Sequence, residues 1–239
     1  MTVRALRIVV AAAMGATVLF AGTSPATALT SINRGAMAQW ARNWSTCHAA
    51  DYLVLGACTP VGRNPASKYG IAYYVEFDSD CTNFVSSALN LGGGMPMDSI
   101  WYSKRHFLVL YDRAYAWSLV NRFTLHWQYG VPGQTYTTWT SPTVNTQTAD
   151  LGDVILYNWG KGKNYNHLAV ETGYGSGSWK DVNGRTHSFY GDLVSQHSNP
   201  RRNSPWNLGY LRETNPTYRA VMRQEGWYII HWTNAYNGY

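Results

Sequence analysis

A chain of 239 residues is long enough for one sizeable core and too short for a large multidomain assembly. Its nineteen Lys and Arg outnumber thirteen Asp and Glu, but they are scattered rather than striped, which argues against a nucleic-acid partner. There is no H-E-x-x-H and no cluster of carboxylates, so neither a metal nor any other cofactor is expected.

The chain opens on a leader. Arg4 and Arg7 precede the apolar run "IVVAAAMGATVLFAG", and "ATA" ending at Ala28 is a small-residue cleavage site. The run falls short of the roughly 20 residues a membrane span needs. Residues 1–28 therefore read as a signal peptide, and 29–239 as a single secreted domain with no stable membrane anchor after cleavage. With the leader gone, seventeen basic residues face thirteen acidic ones. That mild positive balance suits an anionic surface such as a cell wall. Eleven Trp and eighteen Tyr are enough to line grooves as well as a core.

In "SINRGAMAQWARNW", Asn33 is placed to cap a helix, with Met37, Trp40, Ala41 and Trp44 as its buried stripe. Cys47 and Cys58 follow, flanking the loop "HAADYLVLGA"; export permits a disulfide between them. Closing so short a loop would contribute about 2–3 kcal/mol in the chain-entropy view. An odd third cysteine, Cys81, is left over. It heads a second helix, with Asp80 placed to cap it, Phe84, Val85, Ala88 and Leu89 as the apolar positions, and the glycines at 92–94 as the stop. A third helix spans 115–127, with Trp117, Val120 and Leu125 as its buried edge. Strands follow at 153–157, 167–174, 188–198 and 226–232, separated by Gly- and Asn-rich turns. Helices first and strands second describe an α+β chain with an antiparallel sheet.

An ordinary thiol is only a few per cent thiolate at neutral pH, so Cys81 needs a partner to become a nucleophile. A helix N-terminus contributes about 0.3–1 kcal/mol, whereas an imidazole lowers a thiol pKa by several units. His167 is the histidine at the mouth of a strand, with Leu168, Val170 and Thr172 on the opposite face. A base of this kind needs its second nitrogen held. On the next strand Leu193, Ser195, His197 and Asn199 share one face, and Val194, Gln196 and Ser198 the other. His197 and Asn199 are both candidates for that orienting role. They lie about 7 Å apart along a strand, so only one can fill it. Asp153 reads as turn chemistry, and Tyr73 and Tyr74 as core aromatics rather than oxyanion donors.

Four segments carry a resemblance. "DCTNFVSSALNLGG", "INRGAMAQWARNW", "GDVILYNW" with "NHLAVETGY", and "LVSQHSN" together resemble the bacterial putative amidase domain family, related to papain-like cell-wall cysteine hydrolases. They run in order over roughly residues 31 to 202. The resemblance implies a papain-like fold, N-terminal helices packed on a C-terminal antiparallel sheet. It also implies Cys81 as nucleophile, His167 as base and acid, and His197 or Asn199 as orienter. Two features depart from the pattern: Ser87 stands where the family has Gln, and the 47–58 loop is an addition. The implied activity is a secreted amidohydrolase cleaving a peptide or cell-wall amide through an acyl-thioester. An inactive wall-binding module and a transamidase are the alternatives.

Overall fold

The computed structural model describes residues 31–46, 80–106, 110–130, 134–139, 147–159, 165–225, 227–232 and 235–236. The leader, the Cys47–Cys58 pairing, Tyr73 and Tyr74 lie outside the described residues. After β1 (Ile32–Asn33), the Asn33 side chain accepts from Ala36 N at 2.9 Å and starts α1 (Arg34–Trp44). Met37, Trp40, Ala41 and Trp44 are buried along it, the stripe its spacing predicts.

Every residue of α2 (Cys81–Ser87) is buried, and the helix runs on as a wider π turn over Ala88–Gly92. Asp80 occupies the capping position without a side-chain cap bond; its Oδ1 accepts from Asn83 Nδ2 at 2.9 Å instead. Gly94, at φ +76°, supplies the left-handed residue beyond the helix. Next comes a hairpin of β2 (Ser103–His106) and β3 (Leu110–Arg113). The expected third helix is two: α3 (Tyr115–Ser118) and α4 (Val120–Leu125), the latter continued by a π turn over His126–Gly130. Leu119 between them is extended, with φ −117° and ψ 128°. That single residue resets the helical phase. Trp117 remains inside, Phe123 and Trp127 become the buried positions, and Leu125, expected inside, is 47% exposed.

A six-stranded sheet organises the rest: β4 (Gln134–Trp139), β9 (Trp227–Trp232), β5 (Val154–Tyr157), β6 (His167–Lys180), β7 (Thr186–Gln196) and β8 (Arg201–Pro205), in that spatial order. All its pairings are antiparallel, so the chain is α+β. A short β10 (Ala235–Tyr236) pairs with β1. The centre of the sheet is buried on both faces. Val154, Leu156, Leu168, Val170 and Ile230 pack with α1 and α2 on one side; Ile155, Tyr157, Ala169, Val194 and Ile229 pack with Trp206, Trp227 and Met222 on the other. The second layer is built from α5 (Leu208–Arg212) and α6 (Pro216–Glu225), which the strand-rich sequence had not announced. Two-sided burial is why "VILY" is apolar throughout rather than alternating. No described helix is long and apolar enough to cross a membrane.

The turn before β5 joins the helical layer to the sheet. Gly152 sits at φ +83°, and a Cβ there would meet Arg34 backbone and side-chain atoms at 2.9–3.0 Å. Gly184 has a similar φ of +80° but open space around it. Both alanine substitutions pay for the left-handed backbone, about 1 kcal/mol, whereas Gly152→Ala adds a backbone clash. Urea unfolding should show Gly152→Ala losing at least about 2 kcal/mol more than Gly184→Ala; equal losses would mean that the Arg34 approach is unimportant.

Candidate active site

Cys81 is held where the first turn of α2 meets the first peptide of β6. The residue is 5% exposed, and its thiol accepts from the Leu168 backbone N–H and lies 3.8 Å from the Thr82 hydroxyl. Burial pushes the thiol pKa above its ordinary value; the Leu168 and Thr82 hydrogen bonds oppose that rise, and the Asp80 charge adds to it. At neutral pH the resting sulfur is a protonated thiol.

His167, the residue before Leu168, opens β6 opposite Tyr157. Cross-strand partners share a face, so its ring lies on the Ala169 side of the sheet, away from α2. There it sits against Tyr157 and Trp159, at ring-centroid distances of 5.6 and 5.8 Å, and hydrogen-bonds the Gln196 side chain. Nε2 is buried and has no hydrogen-bond partner among the described residues. Burial, helped by the positive charge of Arg201, lowers its pKa to about 4, with the Gln196 bond opposing. The imidazole is thus neutral at pH 7 and able to take a proton. The thiol and this ring are neighbours across one peptide, but no hydrogen bond joins them.

His197 goes elsewhere. It is fully buried just past β7, stacked on Phe84 of α2 at 5.4 Å, with Nδ1 3.1 Å from Asp80 Oδ2. The side chain that meets His167 is Gln196, whose Nε2 also donates to the Asn199 carbonyl at 3.2 Å. Val170 pairs with Ser195, which sets Gln196 opposite Ala169 and on His167's face. Period-two alternation already separated Gln196 from His197; what it lacked was the register that says which face belongs to His167.

The His167 ring lines a cavity of about 550 Å³ together with Trp159, Gln196, Asn199, Arg201 and Trp206. A smaller groove of about 230 Å³ lies beside Thr82, Leu119 and Tyr165. Asn166 borders both. Its Oδ1 accepts from Trp159 N at 3.1 Å, which orients the amide; its Nδ2 is buried and unpartnered among the described residues. Sequence reasoning passed over Asn166 because nothing in the pattern distinguishes it from the other asparagines of a polar loop. Trp159 reaches across onto α5: a Cβ at Gly209 would fall 1.3 Å from its indole Cζ3.

Asp153 is buried at the turn, where Oδ2 accepts from Asp150 N at 2.8 Å and meets His231 Nδ1 at 3.0 Å. With Asp150 and His231 it offers metal-type ligand atoms within 4.8 Å of one another. Arg34 already supplies the cation there, 3.1 Å from Asp150 and 3.8 Å from Asp153. This network anchors α1 to the sheet.

A neutral thiol beside a neutral imidazole makes a kinetic prediction. The rate of Cys81 alkylation by iodoacetamide should keep rising with pH beyond about 9, because only the thiolate reacts; a plateau reached below about pH 7 would reveal a preformed thiolate–imidazolium pair.

Residues 31–221 match the model of the putative amidase domain family. Neither a curated protein nor a solved structure matches the chain. The match covers most of the sequence, Cys81 and His167 included, and the chain belongs to the putative amidase domain family, at the level of hydrolases acting on amide bonds.

Proposed function

We propose that this chain is a secreted cysteine amidohydrolase, papain-like in the order of its parts, which cleaves a peptide amide of an anionic cell wall through an acyl-thioester. The observation that carries this reading is the seating of a free thiol on the peptide N–H next to His167, a neutral imidazole that lines a cavity and keeps one nitrogen without a partner among the described residues. A purely structural cysteine has no need of such a neighbour. The leader and the positive balance of the chain support the destination.

The scissile carbonyl lies at Asn166, where cavity and groove meet. On substrate binding the His167 ring turns about χ1, round the strand mouth and toward Sγ, and takes the thiol proton. Sulfur attacks the carbonyl carbon, and the oxyanion is held by the Cys81 backbone N–H and Asn166 Nδ2. The tetrahedral intermediate collapses to the thioester as His167 returns the proton to the departing amine. Water, activated by the same ring, then releases the acid and regenerates the thiol. Gln196, held by the Asn199 carbonyl, sets the resting position of the ring. His197 fixes Asp80 and so the backbone that leads into the nucleophile.

Each assignment separates in kinetics. Cys81→Ala and His167→Ala should each lower kcat for hydrolysis of a peptide anilide by at least about 10³-fold. Asn166→Ala should lower it by about 10²-fold with KM little changed. His197→Ala leaves the Asp80 carboxylate buried without its ring partner and should cost about 3–5 kcal/mol of stability in urea unfolding. Hydrolysis by Cys81→Ala within tenfold of the parent would refute the nucleophile. Wall binding that survives without any turnover in the parent protein would favour the binding-module reading.

A further inference from the structure

Arg201 is the first residue of β8 and pairs with Gln196, which carries it to the wall of the His167 cavity. It is half-buried, and burial together with the like charge of Arg212 presses its pKa down. No carboxylate forms an ion pair with it among the described residues. Glu213 lines the same cavity but accepts from Asn215 N at 2.6 Å, and the nearby Tyr157 hydroxyl is committed to the Trp206 carbonyl at 2.7 Å. Withdrawing a guanidinium from water without a counter-ion is costly, and such a charge is normally balanced by an anion. Its planar fork matches a carboxylate with two parallel hydrogen bonds. Trp159, Trp206, Leu208 and Met222 supply the apolar wall, and Asn166, Gln196 and Asn199 add neutral polar groups.

We infer that the cavity receives the acyl side of the substrate and that Arg201 binds a free carboxylate there, which makes the preferred substrates anionic peptides or acyl-peptides. The inference deepens the proposed amidase reading and rests on it for the choice of cavity. It also gives binding a chemical consequence. The charge of Arg201 is one cause of the low basicity of His167. A carboxylate seated on the guanidinium neutralises that charge, so the correct substrate makes the imidazole a stronger base as it binds.

The test uses the full mature chain carrying Cys81→Ala, so that no turnover intervenes, and two probes that differ in one group: N-succinyl-alaninamide, with a terminal carboxylate, and N-butanoyl-alaninamide, with a methyl. Calorimetry should show the succinyl compound binding at least about tenfold tighter, with the difference shrinking as NaCl is raised from about 0.05 to about 0.5 M. The NMR titration midpoint of His167 should move upward when the succinyl compound is added and stay in place with the butanoyl one. Arg201→Met should abolish the preference and Arg201→Lys should keep part of it. Equal affinity for the two probes, failure of the succinyl probe to bind, or a preference that survives Arg201→Met would overturn the proposal. If Arg201→Met does not fold, an unmoved His167 midpoint overturns it alone. Because these readouts need no catalysis, they stand apart from the nucleophile assignment, which amide turnover by Cys81→Ala tests separately.

Discussion

A single hydrogen bond sets the frame for the candidate site: the Leu168 backbone N–H directed at the sulfur of Cys81. It fixes the head of a fully buried helix against the first peptide of a sheet strand. For that contact to exist, α2 must lie flat on the face formed by Leu168, Val170, Val154 and Leu156, and α1 must pack on the same face beside it. The Arg34–Asp150–Asp153–His231 network ties the start of α1 to the turn that begins β5, so the helical layer is anchored near β5 as well as at the thiol. The two anchors lie at opposite ends of β5: the thiol beside Leu168, whose neighbour His167 pairs with Tyr157, and the network at the turn before Val154.

The same frame explains the electrostatics. Burial favours neutral forms, and here it acts on both candidate groups, raising the thiol pKa and lowering that of the imidazole. The resting thiol and imidazole are therefore both neutral. In the proposed mechanism, charge separation waits for substrate. Asn166 and Arg201 then matter because they stand where a carbonyl and a carboxylate would arrive, and a neutral pair responds to such groups more than a preformed ion pair would.

Much of this was legible in the sequence, for identifiable reasons. The stripe of α1, its Asn33 cap and the glycine stop after α2 depend on local periodicity and backbone geometry, and they read correctly. Leu125 did not, because one extended residue at 119 shifts the phase of everything after it, and no local pattern announces that break. The second helical layer was hidden for a related cause: α5 has only five residues and α6 is mostly polar, and only Met222 and their neighbours in the Trp206 cluster show that they cover a sheet face. At the site, alternation sorted β7 into two faces, but strand register decided that Gln196 meets His167 while His197 faces Asp80. Register is a tertiary property, and a one-residue slip would exchange the two.

The account comes down to whether sulfur carries the acyl group. Rapid quenching of the protein with an activated peptide ester, followed by mass analysis of the fragment containing residue 81, measures this directly. The account predicts one acyl group per chain on Cys81 within the first turnover, formed far more slowly when His167 is replaced by Ala. Product release with no adduct at Cys81, or an adduct whose formation ignores His167, would contradict it.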